Sequence, residues 1–326
     1  MRGHSSGDTR EALAGGSGRP GTAPTILLLA VLLVTSVLLA GGCGVGGGVG
    51  DAGPVGDITS TTVDPGLGSA TTTTTIPSGT TTTVMTSDTI TISVYFPQTD
   101  ERIRPVHRVR AATQEVGAEA VRALLEGPTG AEEEAGFSSA IPPGTTFLGL
   151  AVANGVATVD LSREYASGGG SLSMAMRLAQ VVFTLTQFPT VDGVSFKLDG
   201  QPVDVFGGEG IVLDHPVSRS DYEEFSPAVL VESPAFEDEA RSPLRIWGTA
   251  NVFEAVFHVE LVDVEGRVIA AERVMATSGT GERGDFDVTV PFTVGVEGFG
   301  SLKVFVDSAK DGSRIDVTEI PLYLTR

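Results

Sequence analysis

TFLGLAVANGVATVDL, residues 146–161, is the stretch on which the fold turns. Thr146 to Val152 and Val156 to Leu161 are runs of strand-forming residues, and the Asn154-Gly155 between them is what a type I′ hairpin asks for, since both central residues need positive φ. Upstream, Thr113 to Glu126 sets Val116, Ala120, Val121, Leu124 and Leu125 on one helical face and stops at Gly127-Pro128. Before it, Thr89 to Phe96 alternates Ile90, Ile92, Val94 and Phe96 with polar residues and closes at Pro97. Downstream, Leu172 to Phe188 brings Met176, Ala179, Val182, Phe183 and Thr186 to helical spacing. Val194–Leu198 and Val203–Phe206 then flank Asp199-Gly200. The order is βαββαββ, an α+β unit whose two helices cover one sheet.

Beyond a polar connector at 214–226 the period changes to two. Seven segments alternate at strand spacing with turn residues between them: Ala228–Glu232, Leu244–Ala250, Phe253–Val264, Val268–Ala276, Asp285–Val294, Ser301–Asp307 and Ile315–Leu324. Seven short strands in about 100 residues predict an all-β immunoglobulin-like sandwich. In the third, Phe253, Ala255, Phe257, Val259 and Leu261 share a face expected to be core, while Glu254, His258 and Glu260 face the other way.

Five runs in the first unit carry a family resemblance: Ala123–Pro128, Ser139–Thr145, Ala157–Ser162, Thr184–Phe188 and Val194–Gly200. In that order they resemble the GerM domain of sporulation and spore germination, GerMN, from about Thr89 to Phe206. In the second unit, Ser233-Pro234, the run from Trp247 to Ala255, and Lys310-Asp311-Gly312 resemble the immunoglobulin-like domain of bacterial spore germination, over Ser226 to Leu324. The first resemblance implies a non-catalytic module of cell-envelope lipoproteins acting in protein assembly. The second implies a binding or spacing module, with Trp247 and the phenylalanines in core roles.

Outward from these domains, the N-terminus reads as an export and anchoring signal. Arg2, Arg10 and Arg19 precede an apolar run from Ile26 to Ala40, short for a spanning helix, which needs about 20 apolar residues. Leu39-Ala40-Gly41-Gly42-Cys43 follows directly and resembles a bacterial lipobox, with Cys43 as the lipid-attachment residue. A diacylglycerol on that thiol, with a further acyl chain, anchors a protein stably. Gly44 to Ser87 is rich in Gly, Thr, Ser, Pro and Val, with three Asp and no aromatic residue, the composition of an extended stalk. The domain plan is therefore a signal peptide at 1–42, a disordered stalk at 43–88, the α/β domain at 89–213, the connector at 214–226 and the sandwich at 227–326. Stalk and residue usage fit an actinobacterial lipoprotein, held on the outer face of the cell membrane.

Composition excludes several functions. Of 326 residues, 41 are Asp or Glu against 21 Lys or Arg, a net charge of −20. Phosphate recognition needs a basic surface, so nucleic acid is not a partner. The single cysteine rules out an internal disulfide and any cysteine-cluster metal site. Gly48–Gly53 and Gly279–Gly284 match the GxGxxG spacing, but the first lies in the stalk and the second between strands, so neither opens a helix on a pyrophosphate.

No enzyme signature occurs. His107, His215 and His258 lie far apart and read as solvated, and there is no GxSxG. Glu132-Glu133-Glu134 and Glu237-Asp238-Glu239 read as solvated carboxylate runs. Asp307 to Gly312 reads as a tight turn rather than a calcium loop, because Lys310 repels the ion and no ligand ladder follows. Arg102, Arg104, Arg108 and Arg110 read as a basic loop that is solvated or docks an acidic partner. The expectation is a non-enzymatic, lipid-anchored envelope protein that binds other envelope proteins, with no catalytic residue, metal or cofactor. The alternatives are an extracytoplasmic regulator binding a membrane sensor kinase, and a module for cell-wall glycan binding or remodelling.

Overall fold

The computed structural model describes residues 69–75, 81–208 and 210–326, all within one compact unit, Asp64–Arg326. Cys43, the apolar run before it and the glycines at 48–53 lie outside the described residues. The first elements sit in the segment that composition reads as an extended spacer. There β1 (Ser69–Thr75) pairs antiparallel with β2 (Thr81–Ser87), Thr75 opposite Thr81. Runs of β-branched Thr are stiff at χ1 and suit a pleated ribbon.

The next hairpin differs from the sequence reading. β3 (Thr89–Pro97) folds back on β4 (Ile103–Ala111), with Thr89 opposite Ala111 and Pro97 opposite Ile103. The arginine cluster is thus a strand, not a loop, and β4 is a strand that the order βαββαββ does not contain. Ile103 and Val106 are buried, and the arginines that hid the strand are neutralised in place. Arg104 forks onto Asp100 at 2.8 and 2.7 Å, Arg108 onto Glu132 at 2.6 Å twice, and Arg110 reaches Glu126 at 2.5 Å.

α1 (Val116–Leu125) buries Ala120, Val121 and Leu124 as its spacing requires. The short α2 (Gly130–Glu134) opens on a capping box between Thr129 and Glu132. Glu132 is only 5% exposed, so the carboxylate expected on a solvated face instead caps a helix and holds Arg108. β5 (Phe147–Ala153) and β6 (Val156–Leu161) form the expected hairpin, with Asn154 at φ 52° and Gly155 at φ 79°. α3 (Ser171–Leu185) then crosses to β7 (Gly193–Leu198), which lies parallel to β6, and Asp199-Gly200 turns the chain into β8 (Gln201–Pro202). The sheet order is β5-β6-β7-β8, and the short pair β9 (Val205–Phe206) and β10 (Ile211–Val212) follows.

α3 also does the work of a missing strand. Among the described residues β3 pairs only with β4, and the backbone of Ser93 and Tyr95 turns toward α3 and the residues after it. Gln187 Nε2 donates to the Ser93 carbonyl at 2.7 Å while its Oε1 accepts from the Ser93 amide at 2.8 Å. Thr184 Oγ1 accepts from the Tyr95 amide at 3.3 Å, and Gln180 Nε2 donates to the Tyr95 carbonyl at 3.1 Å. Residues 180 and 184 share one face of α3 and Gln187 follows just past its C-cap, so polar side chains on and after a buried helix satisfy a strand edge that packing has cut off from water.

The second domain is a sandwich. β11 (Val229–Ser233), β13 (Leu244–Ala250) and β16 (Gly284–Val290) form one sheet, in the order β11-β13-β16. β12 (Glu239–Ala240), β14 (Val256–Val262), β15 (Val268–Met275), β17 (Gly298–Asp307) and β18 (Arg314–Leu324) form the other, in the order β12-β18-β17-β14-β15. Phe257 on β14 and Phe286 on β16 meet edge to face at 4.8 Å between the sheets.

Two core assignments change. Phe253 is 61% exposed, because residues 253–255 form a 3₁₀ turn with positive φ at Glu254 and Ala255, and the strand begins only at Val256. Trp247 is 41% exposed, because Leu244, Ile246, Gly248 and Ala250 take the inward face of β13. The glycines of 279–284 have a steric reason: a Cβ on Gly279 would lie 2.5 Å from the Val252 carbonyl, and one on Gly284 would lie 2.1 Å from the Ser278 amide.

Candidate functional site at the domain junction

The segment between the domains carries the most unusual chemistry of the described residues. Composition reads 214–226 as a polar connector. Within it, Arg219–Phe225 folds as two 3₁₀ turns kinked at Tyr222, which buries Tyr222 and Phe225 and sends Arg219 inward. Arg219 Nη1 donates to Glu232 Oε1 on β11, and the Tyr95 hydroxyl donates to Glu232 Oε2. Arg219 Nη2 reaches the Tyr95 hydroxyl at 3.0 Å and the Phe183 carbonyl at 3.1 Å, and its Nε reaches Thr186 Oγ1 at 2.9 Å. The guanidinium lies 5.1 Å from the Tyr95 ring centre and 4.8 Å from that of Phe183, within cation–π range.

This group is electrostatically closed. Burial pushes the Tyr95 phenol far above its ordinary value, against the pull of Arg219, so it stays protonated and serves as a donor. Burial acts to lower Arg219, but the Glu232 carboxylate paired with it outweighs burial and the net shift is upward, so the charge is held. Every polar atom of the triad faces a partner, which suits a fastening and not an acid or base in waiting.

Further ties flank it. His107 Nδ1 lies 2.7 Å from Asp238 Oδ2 and Nε2 lies 3.2 Å from the Glu232 carbonyl, so the histidine read as solvated sits in the junction. Arg102 Nη1 donates to the carbonyls of Glu224 and Ser226. Arg283 holds Glu223 at 3.0 Å and the Pro227 carbonyl at 2.9 Å. Phe137 and Phe236 pack edge to face at 5.5 Å, and Leu230 of β11 belongs to the core of the first domain. Sequence reasoning missed Arg219 and Glu232, because nothing local marks them.

Beside the fastening opens a cleft of about 750 Å³. Its walls are Thr91, Ser93, Gln187 and Arg219 on one side and Arg245, Trp247, Asp285 and Asp287 on the other. Elsewhere, His215 is exposed beside Asp214 at 2.7 Å, which together with Asp221 raises it above its ordinary value. His258 faces outward, stacked on Phe305 and 3.0 Å from Asp307. Asp307–Gly312 is a turn closed by Gly312 N to Ser308 O at 2.8 Å. No cluster of His, Cys, Asp and Glu that could hold a metal is present among the described residues, and no helix among them is long and apolar enough to cross a membrane.

Residues 93–204 match the family described as sporulation and spore germination, and residues 228–313 match the immunoglobulin-like domain of bacterial spore germination. The chain is a germination-type domain followed by its immunoglobulin-like companion. The fold class expected from the sequence, α+β then all-β, is the one these matches carry. Neither family is described by a reaction. Lipoprotein LpqB of Thermobifida fusca is 31% identical over 130 residues, covering 40% of this chain and 20% of that protein. The germination-type chain thus spans about a fifth of that relative's length. Among solved structures, the tandem GerMN domains of the sporulation protein GerM from Bacillus subtilis align over 57% of this chain and 59% of theirs, with 16% identity and a TM-score of 0.36. The first GerMN domain of the same protein aligns over 40% of this chain and 99% of its own, with 21% identity and a TM-score of 0.33.

Proposed function

We propose that this germination-type chain is a non-catalytic envelope protein, lipid-anchored through Cys43 on the outer face of the membrane, that presents its two domains as one rigid binding body to other envelope proteins. The observation that carries the reading is the closed Arg219–Glu232–Tyr95 group. It joins strands of both domains through a largely buried charge pair, so the two move together and offer a fixed composite surface. A polar-group chain with every member satisfied stiffens a junction. The Cys43 position behind an apolar run and the lipoprotein name of the Thermobifida fusca relative support the anchor. Tethering confines the body to a thin layer and raises its effective concentration, so modest interfaces suffice.

The test is palmitate labelling with membrane fractionation of the wild type and Cys43→Ala, followed by crosslinking and mass spectrometry of the membrane-bound form. Label and membrane retention lost in Cys43→Ala, with a recurrent set of envelope proteins crosslinked to the wild type, is the expected result. Label that persists in Cys43→Ala rejects the anchor. A sensor kinase as the dominant crosslink replaces the assembly role with a regulatory one.

A further inference from the structure

The cleft beside the fastening has a composition that the binding-body reading does not explain. Trp247 stands in its second-domain wall with 41% of its surface exposed, no ring contact and no hydrogen-bond partner for its indole N–H among the described residues. Its cross-strand neighbour is Asp287. Asp287 is held by Arg245 in a two-point pair at 2.9 and 2.7 Å, so a flat apolar ring lies next to a fixed array of donors and acceptors. Asp285 follows two residues away on the same face and makes no ion pair among the described residues. On the opposite wall, Thr91 and Ser93 point hydroxyls inward, since Ile92 and Val94 take the core side of β3.

These features narrow the ligand class. An exposed indole gains from an apolar face laid against it, while its N–H and the adjacent ion pair take polar groups at the rim. A ligand with an apolar C–H face and a girdle of hydroxyls meets both demands at once. Three carboxylates line the cleft, Glu232, Asp285 and Asp287, and its two arginines are each paired with one of them; in a chain with net charge −20 this disfavours a polyanion. Arg245 cancels Asp287, so there is no strong attraction for a cation either. The volume of about 750 Å³ falls within the range of about 300–1,000 Å³ typical of small-molecule sites, which lie preferentially at domain junctions.

From this we infer that the junction cleft binds a neutral hexose-based glycan, with a sugar ring stacked on Trp247 and its hydroxyls held by Arg245, Asp287 and Asp285. The inference rests on the reading of the protein as a non-catalytic binding body, and it supplies that body with a ligand.

Trp247 is the sole tryptophan of the chain, so its emission reports on this cleft alone. The full chain in detergent micelles is titrated with chitotetraose and cellotetraose as neutral probes and with poly(glycerol phosphate) as the anionic one. A saturable change in emission with a neutral probe is expected, weakened about tenfold in Asp287→Asn, the scale of one charge-assisted hydrogen bond. Calorimetry with Trp247→Ala, its fold verified by circular dichroism, is expected to show no binding. No saturable change up to millimolar sugar, unchanged affinity in Asp287→Asn, or preference for the anionic polymer overturns the inference. Chromatography of the sugar afterwards separates the two readings. Cleaved sugar rejects the non-catalytic body, whereas sugar left intact and unbound rejects only the glycan.

Discussion

The Arg219 guanidinium closes on the Glu232 carboxylate between the two domains, and the Tyr95 hydroxyl completes the group from the far side. Glu232→Gln keeps the shape and removes the charge. Breaking a fully buried pair costs about 3–5 kcal/mol, and the 26% exposure of the Arg219 side chain discounts this to about 2–3 kcal/mol. The α-helices of the described fold lie in the first domain and the tryptophan in the second, so helical circular dichroism and Trp247 emission report on the two halves separately. In denaturant the wild type is expected to lose both signals at one midpoint. Glu232→Gln should lower stability and pull the two midpoints apart; coincident transitions in the variant would show that the pair does not couple the domains.

A second outcome concerns acid. The Glu132 carboxyl is held below its ordinary value: burial alone would raise it, and the Arg108 fork with the Thr129 amide outweighs burial. A carboxyl with a lower pKa folded than unfolded stabilises the fold above its unfolded value, and that contribution is lost as pH falls through the folded value. Stability of the first domain should therefore decline as pH drops below the ordinary value of 4.5, and Glu132→Gln should flatten the decline. Asp100 is also held low, by Arg104 against burial, so the slope is reduced and not abolished. Urea unfolding at stepped pH, followed by helical circular dichroism, reads both slopes.

Gln187 offers a local test. Its amide satisfies both backbone groups of Ser93, and Gln187→Ala leaves them without partners at a partly buried edge. The expected cost is about 1–3 kcal/mol, the penalty of an unmade buried hydrogen bond. Hydrogen exchange should show the Ser93 amide losing protection while the Tyr95 amide, bound by Thr184, keeps most of its own. Equal loss along the whole of β3 would mean that the helix does not act residue by residue.

The parts of the fold written in local patterns were legible. Asn154-Gly155 and Asp199-Gly200 announce their turns by the φ they permit, and residues 116, 120, 121 and 124 show their buried face by spacing. β4 was not legible, because the carboxylate that neutralises Arg108 comes from Glu132, 24 residues away. The junction was hidden for the same reason. Tyr95 and Glu232 are 137 residues apart, and each alone is an ordinary polar residue. Trp247 departs from the core role its resemblance implies, and the strand's own alternation gives the reason: with Leu244, Ile246 and Ala250 on the inward face, residue 247 lies on the other.

Gly248, next to that tryptophan, yields the sharpest steric expectation. A Cβ there would lie 2.1 Å from the Leu230 carbonyl oxygen and 3.0 Å from the Glu232 amide nitrogen. Both are backbone atoms of β11 and cannot swing aside as a side chain would, so Gly248→Ala must push β11 away from β13. Overpacking in a formed core costs about 1–3 kcal/mol, and more where backbone must move. Because β11 carries Glu232, the same displacement should loosen the Arg219 pair, so the variant should show both a lower midpoint and separated domain transitions. Gly295→Ala is the control: open space surrounds that position, and its effect should stay within about 1 kcal/mol of zero. A Gly248→Ala variant as stable as Gly295→Ala would mean that the strands are not packed as closely as the β11–β13 register requires.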